Sequence, residues 1–181
     1  MLIIGLDPSL TSTGIVLLDD GKVEKATTTK NRPELGIIER VRLIRQQIEK
    51  IMDHPNLSPD LVVIEGFSFG STGRSLFDIA YLGWRLREAL ESYRERDNIP
   101  WIEVSPSQLK QFATGKGNAP KEVILQQVYK HWGFETSDHN IADAYVLARI
   151  GEAYLKADTV SPDILCQEYH LYQLQVIQSL K

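Results

Sequence analysis

Two apolar runs in this sequence stop on an acid. Leu2-Ile3-Ile4-Gly5-Leu6 ends at Asp7, and Leu61-Val62-Val63-Ile64 ends at Glu65. Short runs of this kind read as buried strands. A carboxylate at the end of such a strand is held at the sheet edge, partly out of water, which is costly unless a cation or a hydrogen bond compensates. If the two strands are neighbours, both carboxylates point into one place. Two like charges there are unstable alone and favourable around a divalent metal, and oxygen donors suit Mg²⁺ or Mn²⁺. A third acid, Asp143, falls on one helical row with Leu147, Ile150 and Tyr154, so it faces the body of the protein. Each acid alone reads better as an ordinary helix cap or strand terminus. Together, each at an element terminus and on an inward face, they point to a metal centre.

Two further segments carry chemistry. From Val104 to Lys121 there is no acidic residue, while Lys110, Lys116 and Lys121 fall inside the window. That makes a local surface an anion can approach, or else a solvated turn. After Glu65 comes Gly66-Phe67-Ser68-Phe69-Gly70-Ser71-Thr72-Gly73-Arg74. Two aromatics in a loop of small residues are hard to bury fully, and an exposed ring can stack on an unpaired base for about 1–3 kcal/mol. The competing reading makes both rings core plugs.

The elements that must position these residues follow from periodicity. Gly14–Leu18 reads as a second strand, Asp20-Gly21 as a tight turn, and 23–29 as the strand that completes a hairpin. Pro33 is expected to open a helix with Ile37, Val41, Ile44, Ile48 and Ile51 on one stripe. A long helix is expected over 75–96. Its row Leu76, Ile79, Gly83, Leu86, Leu90 and Tyr93 suits packing on a sheet, and a second row is made of Phe77, Tyr81 and Trp84. A surface helix needs one stripe, so the aromatic row marks either a homodimer face or a helix buried all round. Trp101–Val104 is a fifth strand, followed by helical patterns at 105–113, 120–132 and 139–157. The order βββαβαβααα implies an α/β fold with a mixed sheet covered by helices. The division expected is a domain over 1–157 and an appended segment over 158–181, read as one amphipathic helix starting at Pro162.

Composition narrows the class. With 43% hydrophobic and 24% charged residues the chain suits an ordinary globular core and excludes a fibrous repeat or wholesale disorder. No apolar run approaches the roughly 20 residues that span a bilayer. The first residues, Met1 to Asp7, carry no basic flank and read as neither a secretory signal nor a transit peptide. A single cysteine, Cys166, cannot form an internal disulfide, and an intracellular, cytoplasmic setting is expected. The formal charge of −4 argues mildly against a nucleic-acid partner, although totals hide distribution.

The motifs also carry a family likeness. Gly5-Leu6-Asp7-Pro8-Ser9 with Thr13-Gly14, then Val63-Ile64-Glu65, then Lys110-Gln111 with Gly115-Lys116-Gly117-Asn118-Ala119-Pro120-Lys121, and finally Ala142-Asp143-Ala144 occur in the order and spacing of the RuvC-type Holliday junction resolvases. The chain resembles that family, within the RNase H-like nuclease superfamily, over residues 1–157. The resemblance implies an RNase H-like five-stranded mixed sheet flanked by helices. It also implies two Mg²⁺ ions per site, replaceable by Mn²⁺, held by Asp7, Glu65, Asp143 and the residue three before the last. That residue is usually an acid or histidine and here is Asn140, whose carbonyl can coordinate more weakly than a carboxylate. His139 lies on an overlapping face as a substitute, while Asp138 sits farther round and suits a cap.

By the same resemblance the activity is two-metal hydrolysis of DNA phosphodiesters. Lys121 stands beside the scissile phosphate, Lys110 and Lys116 contact DNA, and backbone N–H groups of 115–119 approach phosphate. Phe69, ahead of Phe67, would enter the junction centre, and Arg74 would contact phosphate. A symmetric dimer suits a four-way junction, whose two-fold symmetry lets identical sites nick opposing strands. Two Mg²⁺ per site also offset the formal charge of −4. Three alternatives stay open: a sugar-kinase-like phosphotransferase, disfavoured because the chain has no duplicated domain; a junction-binding protein with weakened catalysis at Asn140; and a related nuclease acting on flaps or other branched DNA.

Overall fold

A three-stranded meander opens the chain, and the remaining strands are added through helices. In this computed structural model the described residues are 1–30, 32–67 and 74–181, the side chains of Arg74 and Ser75 excepted. The strands are β1 (Leu2–Asp7), β2 (Gly14–Asp19), β3 (Lys22–Thr28), β4 (Leu61–Glu65) and β5 (Trp101–Val104). The helices are α1 (Ile37–Met52), α2 (Arg74–Asp97), α3 (Pro106–Thr114), α4 (Lys121–Trp132), α5 (His139–Thr159), α6 (Pro162–Glu168) and α7 (Leu171–Ser179). The sheet order is β3-β2-β1-β4-β5. β1–β2 and β2–β3 pair antiparallel, β1–β4 and β4–β5 parallel, giving the mixed five-stranded sheet expected. Asp20 and Gly21 both take positive φ, 44° and 77°, as a hairpin turn matched to strand twist requires.

The central strands read as unbroken apolar runs because both faces of the sheet are covered. Ile3, Leu61 and Val63 pack into one core with α3, α4, α5 and α7. Ile4, Leu6, Val62 and Ile64 pack into another with α1 and α2. Period two then fixes where the strand-end acids go. Asp7 falls on the side of Ile3 and Gly5, and Glu65 on the side of Leu61 and Val63, which is the α5 side.

That helix lies almost on the strands. A Cβ on Gly5 would stand 2.0 Å from the Ala144 carbonyl oxygen, and one on Gly14 would stand 2.1 Å from that of Asn140. Glycine in the sheet and alanine at 142, 144 and 148 of α5 allow the close approach.

Two boundaries depart from expectation. α1 begins at Ile37, after an extended Gly36 cap, because Pro33 opens a turn closed by the Leu35 N–H donating to the Arg32 carbonyl at 3.1 Å. The segment after 158 forms two helices, not one. Tyr169 is extended (φ −124°, ψ 142°), and the His170 N–H donates to the Gln173 side chain at 2.9 Å, starting a new helix. Its Val176 and Ile177 are buried in the α5-side core.

Candidate active site

The two innermost parallel strands deliver the first pair of acids. β1 and β4 run in register with Leu6 opposite Ile64, so Asp7 and Glu65 emerge side by side at the same end of the sheet. α5 delivers the third. Asp138 caps it, its carboxylate accepting from the Asn140 and Ile141 N–H groups at 2.8 and 3.3 Å. Asp138 is thereby committed to the helix start. Asp143, one turn on, is 8% exposed and Asp7 only 6%. Asp7, Glu65, Asn140 and Asp143 line one cleft of about 260 Å³ together with Lys110 and Lys121.

Crowding three carboxylates, those of Asp7 and Asp143 buried and that of Glu65 half-buried, disfavours their charged forms. Burial, then the charges of Glu65 and Asp143, hold Asp7 well above the usual carboxylate range. Burial, then Asp143, pushes Glu65 up to about 7. Burial pushes Asp143 up to about 6 against the opposing pull of Lys121, His139 and Lys110. Asp7 and Glu65 also act on each other directly through their side chains. A hard cation offsets that cost and favours the ionised forms, and an all-oxygen donor set fits such an ion. Among the described residues, however, no group of three His, Cys, Asp or Glu forms a ready-made metal cage. The acids converge on a cleft rather than on a single point.

The basic segment rims this cleft. α3 starts with a capping box in which the Ser105 N–H donates to the Gln108 Oε1 at 2.9 Å, and it ends on Gly115 with φ 78°. Lys110 lies on α3 and Lys121 opens α4, and both line the cleft with the acids, whereas Lys116 is exposed on the turn between them. The expected presentation of backbone N–H groups is largely taken up internally. Gly115 donates to the Gln111 carbonyl, Lys116 to the Thr114 hydroxyl and Ala119 to the Lys116 carbonyl. The glycines serve the turn itself: a Cβ on Gly117 would stand 3.2 Å from the Ser107 carbonyl oxygen.

Of the aromatic loop, Phe69 lies outside the described residues, as does the side chain of Arg74. Phe67 is half-buried against α2 on the opposite layer from Glu65. Its ring sits 5.5 Å from that of Trp84 and 4.2 Å from the Arg87 guanidinium, over Gly83. Arg87 itself escaped the sequence reading. It is buried at 6% exposure, pairs with Glu103 at 2.7 Å, and donates to the carbonyls of Gly83 and Glu65 at 3.0 and 3.2 Å. The signal was there: an arginine adjoins Leu86 on an otherwise apolar helix face. On that helix Phe77 and Trp84 stand 74% and 63% exposed, so α2 is not buried all round.

A family model described as crossover junction endodeoxyribonuclease RuvC matches residues 3–150. The chain belongs to the RuvC family. It is 26% identical over 156 residues to the RuvC of Carboxydothermus hydrogenoformans, covering 83% of this chain and 95% of the relative. The RuvC of Thermus thermophilus is 26% identical over 172 residues, covering 90% and 99%. The solved Thermus thermophilus RuvC structure superposes with a TM-score of 0.70 at 22% identity, over 88% of this chain and 98% of that one. The same protein in complex with Holliday junction substrate gives 0.67 at 24% identity, over 88% and 97%. These likenesses establish the RNase H-like fold, and RuvC membership makes the chain a nuclease of the hydrolase class. No helix among the described residues is long and apolar enough to cross a membrane.

Proposed function

We propose that this RuvC-family Holliday junction resolvase nicks opposing strands of a four-way DNA junction symmetrically, by Mg²⁺-dependent hydrolysis at a site formed by Asp7, Glu65, Asn140 and Asp143. The observation that carries the reading is the convergence of three charge-disfavoured carboxylates in one cleft beside Lys110 and Lys121. Mn²⁺ satisfies the same oxygen donors.

Asp7, Glu65 and Asp143 line one cleft with Asn140, so together they would hold the ions. Glu65 with Asp7 would hold one, and Asp143 with the Asn140 carbonyl oxygen the other. That pairing agrees with acids that line a cleft without forming a three-acid cage. Bound divalent ions supply activation of the attacking water and stabilisation of the leaving oxygen. The chain's own part is orientation and charge. Lys121, exposed at the cleft rim, would hold the scissile phosphate against the acids, and Lys110 would neutralise a neighbouring one. Lys116, farther out on the turn, together with Arg74, would track the backbone, and Phe69 would stack at the junction centre. Phe67 packs against α2.

The exposed Phe77–Trp84 face of α2 is the candidate homodimer surface, placing two sites on one two-fold junction. The exposed free thiol of Cys166 suits a reducing, cytoplasmic setting. The kinase alternative loses its footing with family membership. Asn140 keeps the weakened-catalysis alternative specific.

The deciding experiment maps cuts on a synthetic mobile four-way junction by denaturing gel, with and without Mg²⁺. Paired symmetric nicks that vanish in Asp7→Asn support the reading. Metal-independent cutting removes it, binding without cutting favours the junction-binding alternative, and equal cutting of flaps favours the branched-DNA nuclease.

A further inference from the structure

The last helix makes its contacts on the segment that carries the lysines. Gln173, 3% exposed, donates from Nε2 to the Phe112 carbonyl at 3.2 Å. That carbonyl is among the last four of α3, which have no partner within the helix. The Tyr172 ring lies over Gly115, 3.6 Å from where a Cβ would stand. At the other end of α3, Gln108 donates from Nε2 to the Ser179 hydroxyl at 2.9 Å while also serving the Ser105 cap. Val176 and Ile177 are buried in the core shared with Leu109, Phe112 and Ala113. α7 thus holds both ends of the helix bearing Lys110, and it holds the left-handed residue from which the turn to Lys116 and Lys121 departs. It also lies outside the residues matched by the family model, which end at 150.

We infer that α7 is a brace that sets the pose of residues 110–121 for DNA binding, with Gln173 and Tyr172 as its positioning residues. The inference rests on the reading of that segment as a DNA contact. Lysines on a turn bind phosphate productively only if the turn is held, because ordering it on binding subtracts from affinity. Gln173 meets an acceptor that water cannot reach, and Tyr172 covers the left-handed Gly115 that ends α3. The Gln173 hydrogen bond and the Tyr172 ring contact therefore remove motion where the phosphates would dock. The acids lie on β1, β4 and α5, none of which these two contacts touch.

The test uses the full chain and a synthetic four-way junction in Ca²⁺, measuring binding by fluorescence anisotropy across a salt series, with amide exchange read over 112–121. Gln173→Leu keeps the volume and removes the donor. Tyr172→Ala removes the cover, and Tyr172→Phe keeps it. Gln173→Leu and Tyr172→Ala are expected to weaken binding about three- to tenfold and to speed exchange in 112–121, while Tyr172→Phe binds as the parent does. Ile48→Val, which lowers stability on the far side of the sheet, is expected to leave affinity unchanged. If Gln173→Leu and Tyr172→Ala bind like the parent, or Ile48→Val loses as much, the brace is wrong. If the parent chain binds no junction, the functional reading fails first and the brace with it.

Discussion

Gly5 of β1 and Ala144 of α5 touch backbone to backbone: a Cβ built on Gly5 would stand 2.0 Å from the Ala144 carbonyl oxygen and 2.8 Å from the Ala148 nitrogen. Neither atom can swing aside as a side-chain tip would, so α5 would have to lift, carrying Asp143 away from Asp7. Gly5→Ala is expected to cost about 3 kcal/mol or more, seen as a large drop in the thermal midpoint by circular dichroism. A midpoint near that of the parent would mean the helix stands farther from the sheet.

The acids of the cleft weaken the metal-free fold at neutral pH. An acid whose pKa is raised by folding contributes stability that is fully present below its unfolded value, near 4, and lost as pH climbs through the folded value. For Glu65 and Asp143 the window closes at about 7 and about 6. Without divalent ions, Asp7→Asn should therefore be more stable than the parent at pH 7.5 by roughly 1–3 kcal/mol, and the advantage should vanish near pH 4. Melts of both chains across pH in EDTA check this, and the difference between them cancels the carboxylates outside the cleft. A parent as stable as the variant at pH 7.5 would contradict the crowding of these acids.

Much of this site was legible in the sequence, because strands buried on both faces announce themselves as apolar runs and their terminal acids stand out. The positions of Asp7, Glu65 and Asp143 follow from period two in the strands and the row Asp143–Leu147–Ile150 in the helix. What lay beyond reach depended on contacts between distant segments. Nothing local tells that Gly5 and Gly14 admit a helix backbone, that Phe67 turns to α2 while Glu65 turns to α5, or that Gln173 finds the Phe112 carbonyl. The break at Tyr169–His170 was missed because Leu165, Tyr169, Tyr172 and Val176 keep helical spacing across it, while the His170–Gln173 cap resets the chain.

Arg87 ties the exit of β4 to α2 through the Glu65 carbonyl, Glu103 and the Phe67 ring. Lysine has no planar fork to serve these together. Arg87→Lys should lower stability by about 1–2 kcal/mol and Arg87→Ala by about 2–4 kcal/mol, the half-exposed Glu103 moderating the loss. Denaturant melts measure both, and junction cutting should fall further than stability alone dictates. An Arg87→Ala chain with parental stability would show these contacts to be idle.

Exposed aromatics on α2 predict an assembly. Phe77 and Trp84 present large apolar rings to solvent from one helical face, with Tyr81 between them. Phe77→Glu combined with Trp84→Glu should shift the chain from dimer to monomer in sedimentation velocity, each ring being worth about 2 kcal/mol or more at the centre of an interface. A parent that sediments as a monomer at micromolar concentration would remove this surface from the proposal.

Asn140 offers one neutral oxygen where a carboxylate would offer charge, and it lines the same cleft as Asp143. Asn140→Asp adds a negative group without changing shape, so two opposed effects are expected from one substitution. The metal-free fold should lose stability at pH 7.5, as a further acid joins three already crowded. The Mg²⁺ concentration giving half-maximal nicking should fall about tenfold, since ligand charge raises affinity for a hard cation. Titrating Mg²⁺ in junction-cutting assays while following metal-free melts reads both. An unchanged Mg²⁺ requirement together with lowered stability would put Asn140 outside the ion's reach and leave His139 as the side chain to replace next.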